Sequence, residues 1–229
     1  ENHKILVRLP ITTYWTTNYD TIIEDSLKSA NKVVDVKHQV KQLANTRPKR
    51  DVVIYKMHGD AHHPGDAILT KEQYESYYKT HEHFITALSG DLISKTFLFI
   101  GFSFTDPNLD YVLSRLNIQF GENNRQHFCF IKKQSKGADD NEMYKYNLRK
   151  QVLMVNDLKR YKIKALVVDE YSDITEILKE IEKITDKQIK KNPDNLTYFV
   201  DLGNAYKKQG DVKSAEKEFD IAIQKISDN

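Results

Sequence analysis

The sequence predicts an α/β fold, a parallel sheet flanked by helices, followed by an α-helical hairpin. Short apolar runs alternate with stretches of helical period, and the runs end in polar turns that feed straight into helices. Past Thr185 the composition changes character. In chain order, Tyr14–Thr17 reads as a strand, and the segment from Thr21 to Ala30 as the helix after its Thr-Asn-Tyr-Asp turn. Val52–Met57 is a second apolar strand, and Ala67–Leu69 a short one ahead of a helix over Lys71–Tyr78 that Thr70 caps. Phe84–Ser94 has helical spacing. Thr96–Ile100 is a continuous β-rich run bounded by Gly101, as expected for a strand buried on both faces. Asn108–Ile118 is a helix entered through Asp106-Pro107, where proline's missing N–H has no consequence. His127–Ile131 and Ala165–Val168 are further strands, separated by an amphipathic helix from Asp140 to Tyr161. Ile174, Ile177, Leu178, Ile181 and Ile184 form one face of a closing helix over Asp173–Thr185.

The bulk properties narrow the function classes. A chain of 229 residues holds one ordinary domain and a small appendage. Its formal net charge is only +2, which gives no basic face for nucleic acid. The single cysteine, Cys129, excludes an internal disulfide and a multi-cysteine zinc site. With no secretory signal and no long apolar run, the reading is a soluble cytoplasmic protein without a membrane span. Residues 1–185 form the α/β domain, 186–193 a Lys- and Asp-rich linker ending near Pro193, and 194–229 the helical segment.

Chemistry concentrates where the strands end. In open parallel sheets ligands bind at the carboxyl ends of strands, where loops surround helix N-termini with unpaired N–H groups. After the first strand stand Thr16, Thr17, Asn18 and Asp20, two hydroxyls, an amide and a carboxylate suited to a ribose or a carboxamide. The same Asn and Asp equally suit capping of the next helix. After the second strand stands His58, followed by Gly59; its imidazole suits proton transfer near neutral pH and equally suits a structural role. His62 and His63 follow closely, but without a nearby cysteine or a carboxylate pattern they do not make a metal site. After the strand at Thr96–Ile100, Gly101 lets a phosphate approach the backbone and Ser103 supplies a hydroxyl; Asp106 completes this set, either as a binding group or as the N-cap of the next helix.

Taken together and in this order, these segments resemble the sirtuin family, in particular the sirtuin-like domains of bacterial anti-phage defence proteins. Thr16-Thr17-Asn18-Tyr19-Asp20 stands where sirtuins carry Thr-Gln-Asn-Ile-Asp, His58-Gly59 matches their His-Gly, and Gly101-Phe102-Ser103 matches their Gly-Thr-Ser. The Asp106-Pro107-Asn108 continuation and the Leu69-Thr70-x-x-x-Tyr74 segment are traits of the defence branch. The resemblance spans roughly Lys4 to Thr185, and the joint order is more specific than any one motif. The segment from Asp194 to Asn229 resembles one tetratricopeptide repeat through Phe199, Leu202, Gly203, Tyr206, Gly210, Ala215, Phe219 and Ala222, the expected start of an array.

The resemblance implies a Rossmann-like sheet with NAD as substrate. Asn18 would contact the nicotinamide ribose and position the attacking water, Asp20 would bind the nicotinamide carboxamide, and His58 would act on the ribose hydroxyls as general base. Gly101 and Ser103 would hold phosphates or the adenine ribose. Thr17 departs from the family's Gln and shortens that side chain. The four-cysteine zinc module of the protein deacylases is absent, which turns the expectation from acyl-lysine peptides towards hydrolysis of NAD itself, without a metal. No Gly-Ala-Gly-x-Ser-like loop is found, so the expectation is an N-terminally incomplete domain lacking its first strand and phosphate loop. The implied function is an NAD-depleting effector that works as a homo-oligomer and answers a phage-derived or other protein trigger through its repeats. A non-catalytic NAD or ADP-ribose sensor and an NAD-dependent protein deacylase are the alternatives.

Overall fold

In the computed structural model the described residues are 1–136 and 141–191, together with Glu216 and Asp220. The chain divides into two compact units, Glu1–Glu176 and Ile177–Asn229. In the first unit the elements run α1 (Asn2–Leu6), β1 (Thr13–Thr16), α2 (Ile22–Ser29), β2 (Val34–Lys37), α3 (Val40–Leu43) and β3 (Val52–Lys56). They continue with α4 (Lys71–Thr80), α5 (Glu82–Ser94), β4 (Leu98–Phe99), α6 (Pro107–Phe120), β5 (His127–Lys132), α7 (Asn141–Arg160) and β6 (Ile163–Val168). The last helix, α8 (Tyr171–Lys191), begins in the first unit. In the second unit Glu216 and Asp220 are helical and exposed, and the remainder of the expected tetratricopeptide segment lies outside the described residues.

Every ladder is parallel, as alternating strands and helices require. The pairing, however, makes two three-stranded sheets in the orders β1-β3-β2 and β4-β5-β6, with no ladder between β1 and β4. The expected run Thr96–Ile100 shrinks to Leu98–Phe99 and is half-buried on both residues. As the end strand of its sheet it has a neighbour on one side only, and the Phe97 N–H is diverted to Nδ1 of His127 at 3.1 Å. The short strand expected at Ala67–Leu69 does not form; its one backbone link to β3's turn is the Ile68 N–H on the His58 carbonyl. A strand the sequence reading missed, β2, carries Asp35 and Lys37 in a Val-Asp-Val-Lys order that looks like a solvated edge. Both charges are buried and meet each other at 2.8 Å, with Arg50 on the second Asp35 oxygen.

Alternation along β3 sorts the core. Val52 and Ile54 face Val7, Leu27 and Val34 on one side. On the other, Tyr55 stacks on its ladder partner Trp15 at 4.2 Å, at the edge of the main cluster. That cluster gathers Met57, Tyr77, Phe84, Leu88, Leu92, Val112, Leu116, Cys129 and Ile163 from both sheets and α4–α6. Each such side chain contributes about 1.5–3 kcal/mol of transfer free energy, so the two sheets are held by a shared core without strand pairing between them among the described residues.

Candidate active site

The register of β1 on β3 ends at Thr16 opposite Lys56, which puts the loop carrying Asn18 beside the turn carrying His58. Two backbone bonds tie the two segments: Met57 N–H to the Thr16 carbonyl at 3.0 Å, and Ala61 N–H to the Tyr19 carbonyl at 2.8 Å. Within the first loop Thr16 Oγ1 accepts from the Asn18 N–H, and Asp20 Oδ1 accepts from the Ile22 N–H at the start of α2. Asn18 and Asp20 are exposed, and Thr16 and Thr17 half-buried. The Asn18 side-chain amide makes no hydrogen bond among the described residues.

His58 is only 2% exposed. Its Nδ1 lies 3.3 Å from the Tyr74 hydroxyl, and the edges of Tyr74 and Tyr77 enclose the ring at 4.9 and 5.8 Å. Its Nε2 lies 3.2 Å from Asp106 Oδ2. That separation is short enough for an ion pair once the ring is protonated, but no hydrogen bond is made there, so Nε2 is a buried nitrogen without a hydrogen bond. The hydrogen-bond geometry is the stricter criterion, since a misaligned contact gains little. Asp106 is fixed by its other oxygen, which accepts from the Asn108 and Leu109 N–H groups as the α6 N-cap. Burial pushes the His58 pKa below the ordinary imidazole value, and the Asp106 charge opposes this only in part. His58 is therefore neutral near pH 7, the form that accepts a proton. Burial likewise raises the Tyr74 hydroxyl far above its usual range.

Of the residues expected from sequence, the structure brings together His58 and Asp106, and sets the Asn18–Asp20 loop beside them through β1 and β3. Gly101 and Ser103 belong to the loop that delivers Asp106. Gly101 has φ +66 and nothing within 4 Å of where a Cβ would stand, so its backbone is open to a ligand. Ser103 Oγ is exposed and shares a hydrogen bond with Thr105. No hydrogen bond joins Ser103 to Asn18 or His58 among the described residues. A cavity of about 310 Å3 lined by His38, Asp66, Gln73, Thr80 and His81 contains none of the expected site residues. Among the described residues no group of three His, Cys, Asp or Glu is set to hold a metal.

Sequence reading missed three participants. Tyr74 lies in a helix that the sequence marks by its Thr70 cap; Thr70 does cap α4 in a capping box with Gln73, and one turn on Tyr74 reaches His58. Lys56 is fully buried, and its ammonium donates to Tyr19 O (3.0 Å), Asp20 O (2.6 Å), Glu24 Oε1 (2.9 Å) and Asp60 Oδ2 (2.6 Å). Glu24 is itself 3% exposed on α2, and the only sequence signal was a carboxylate on that helix's inner face.

Comparison with known proteins identifies the family of the domain that carries these residues. The family model described as a SIR2-like domain matches residues 12–152. The NAD(+) hydrolase ThsA of Bacillus cereus (strain MSX-D12) is 57% identical over 183 residues, 80% of this chain and 38% of that protein. The NAD(+) hydrolase ThsA of Acinetobacter baumannii (strain 532279) is 54% identical over the same shares, and that of Enterococcus faecium 47% identical over 80% of this chain and 40% of its own. The chain thus spans about two fifths of the length of these curated relatives.

Proposed function

This chain belongs to the SIR2-like domain family, and on that premise we propose that it carries the reactive centre of an NAD+ hydrolase. The reaction cleaves the nicotinamide N-glycosidic bond: NAD+ and water give nicotinamide, ADP-ribose and a proton. The observation that carries this furthest is the buried, unpartnered Nε2 of His58 beside Asp106 at the carboxyl end of a parallel strand. Leaving such a nitrogen unsatisfied costs about 1–3 kcal/mol, which a substrate hydroxyl bonded there recovers. Relatives 47–57% identical carry the name NAD(+) hydrolase.

On this reading neutral His58 takes the proton from a ribose hydroxyl or from the attacking water as positive charge builds on the ribose. Asp106 stabilises the imidazolium. The Asn18 amide orients ribose and water, and Asp20 offers the nicotinamide carboxamide the carboxylate oxygen that Ile22 does not use. Thr16 and Thr17 line the same loop, while the open backbone of Gly101 and the Ser103 hydroxyl receive phosphates or the adenine ribose. The protein acts in the cytoplasm as a homo-oligomer depleting NAD in anti-phage defence, switched by a phage-derived or other protein trigger through a tetratricopeptide segment at 194–229. Among the described residues no helix is long and apolar enough to cross a membrane.

Nicotinamide release from NAD+ by the intact, triggered protein tests the reading. Asn18→Ala and His58→Ala are each expected to lower kcat by about 10²- to 10⁴-fold; turnover unchanged by both refutes it. A second reading, binding of NAD or ADP-ribose without turnover, is favoured by the near-complete enclosure of His58. Calorimetric binding without nicotinamide release in any activated state would select it.

A further inference from the structure

We infer that Lys56 is a positioning residue for the reaction proposed above: its buried ammonium clamps the loop bearing Asn18 and Asp20 against the turn bearing His58. The inference rests on the NAD-hydrolase reading for what the clamp serves, and on geometry for its existence. An ammonium has three protons, and Lys56 faces four acceptors drawn from separate pieces of the site. The carbonyls of Tyr19 and Asp20 immediately follow Asn18, so fixing them fixes the turn from which Asn18 and Asp20 project. Asp60 lies two residues past His58, and its second oxygen accepts from the His62 N–H at 2.8 Å, which locks the turn after β3. Glu24 anchors the ammonium to α2. Tyr19, held by its backbone, sends its hydroxyl to the Ile68 carbonyl at 2.6 Å, and the Ile68 N–H donates to the His58 carbonyl. Lys56 thus acts on both halves of the centre without touching either reactive side chain.

A purely stabilising role explains the arrangement less well. A buried cation with two buried carboxylates is weak evidence for stability, because an apolar replacement of similar volume is often neutral or better. What the ion cluster supplies is direction: its bonds hold the Tyr19–Asp20 loop, helix α2 and the turn at Asp60 to one point. Burial alone would lower the lysine's pKa, but the hydrogen bonds that its ammonium donates to Asp60 and Glu24 outweigh it, so the clamp stays charged at neutral pH. Displacement of a reactive group by about 1 Å costs on the order of 10²-fold in rate.

The experiment compares the intact protein with Lys56→Met, and with the neutralised triple variant Lys56→Met/Glu24→Gln/Asp60→Asn in case the single change does not fold. Glu24→Gln alone, which keeps a hydrogen bond to the ammonium, decides by the same criteria should neither fold. Two readouts are taken. For nicotinamide release per folded molecule, kcat is expected to fall about 100-fold in the variants lacking Lys56, and severalfold in Glu24→Gln, with KM for NAD+ within about threefold. In amide hydrogen exchange without NAD+, Ala61, His62 and Ile22 are expected to exchange at least about tenfold faster while β5 stays protected. A folded variant with wild-type kcat, or exchange that rises uniformly through β5, overturns the clamp. Wild-type protein that shows no NAD turnover overturns the functional reading instead, and the exchange result still decides whether Lys56 clamps the two loops.

Discussion

Acid should weaken this fold through one histidine that the reaction does not use. His127 opens β5, is 3% exposed, and accepts the Phe97 N–H on Nδ1 at 3.1 Å, with its ring edge-on to Phe97 and Phe99. Burial, with a smaller push from Arg125, brings its pKa from 6.5 down to about 4. Because the folded value lies below the unfolded one, the unfolded chain takes up the proton first. The contribution is complete above about pH 6.5 and is lost as pH falls through about 4. A gap of about 2.5 units at about 1.36 kcal/mol each is worth about 3 kcal/mol, of which about 2 kcal/mol is already gone at pH 5. Protonation of Nδ1 also removes the acceptor that replaces a ladder bond at β4. In His127→Asn a side-chain oxygen can still accept from Phe97, but nothing titrates. Urea unfolding at pH 7, 6, 5 and 4 should show the variant about 1–2 kcal/mol less stable at pH 7, from lost ring packing, with a shallower acid slope. His38, His58 and His81 also have lowered pKa values, so the difference between the two curves isolates His127. Parallel curves, or a His127 titration near 6.5 by NMR, would refute the reasoning.

Other expectations follow from the site and its supports. Asp106→Asn keeps the α6 cap, since asparagine caps as well as aspartate, but withdraws the charge that raises the His58 pKa. The acid limb of the kcat/KM profile for NAD should therefore move to lower pH with little change in Tm, and an unmoved limb counts against the His58–Asp106 pair. Gly59→Ala places a Cβ 2.8 Å from the Ala67 Cα at φ +102, and should cost more than about 2 kcal/mol in urea unfolding; a loss under about 0.5 kcal/mol contradicts the geometry. Thr70→Ala removes the α4 capping box and should cost about 1 kcal/mol by the same measurement.

What the sequence discloses about this site is uneven, for physical reasons. Asn18 and His58 stand out because each follows an apolar run, and parallel strands present their loops at one end. Asp106 is legible as a cap, because Asp before Pro opens helices. Its approach to His58 is not, since that depends on how the Gly101–Asp106 loop packs against the turn after β3. Lys56 escapes because a lysine inside an apolar strand reads as a solvent-facing position; its partners Glu24 and Asp60 come from α2 and the next turn. β2 is hidden for the same reason, its Asp35 and Lys37 being buried as a pair. A single sheet is the natural expectation from alternating strands and helices, but strand adjacency is a property of the assembled core, and among the described residues the sheets number two.

The all-parallel pairing has a consequence for the order in which the molecule is made. A parallel ladder cannot be closed by a hairpin, so Thr13 must wait for Val53, and Trp15 for Asp91, 76 residues downstream. At synthesis rates of about 5–20 residues per second, that last contact is possible only after about 4–15 s. Topologies of this kind pay loop-closure entropy before any contact rewards it, and they fold slowly. During the first half of that interval the loop with Asn18 exists without the turn that will face it, which begins at His58, 40 residues further on.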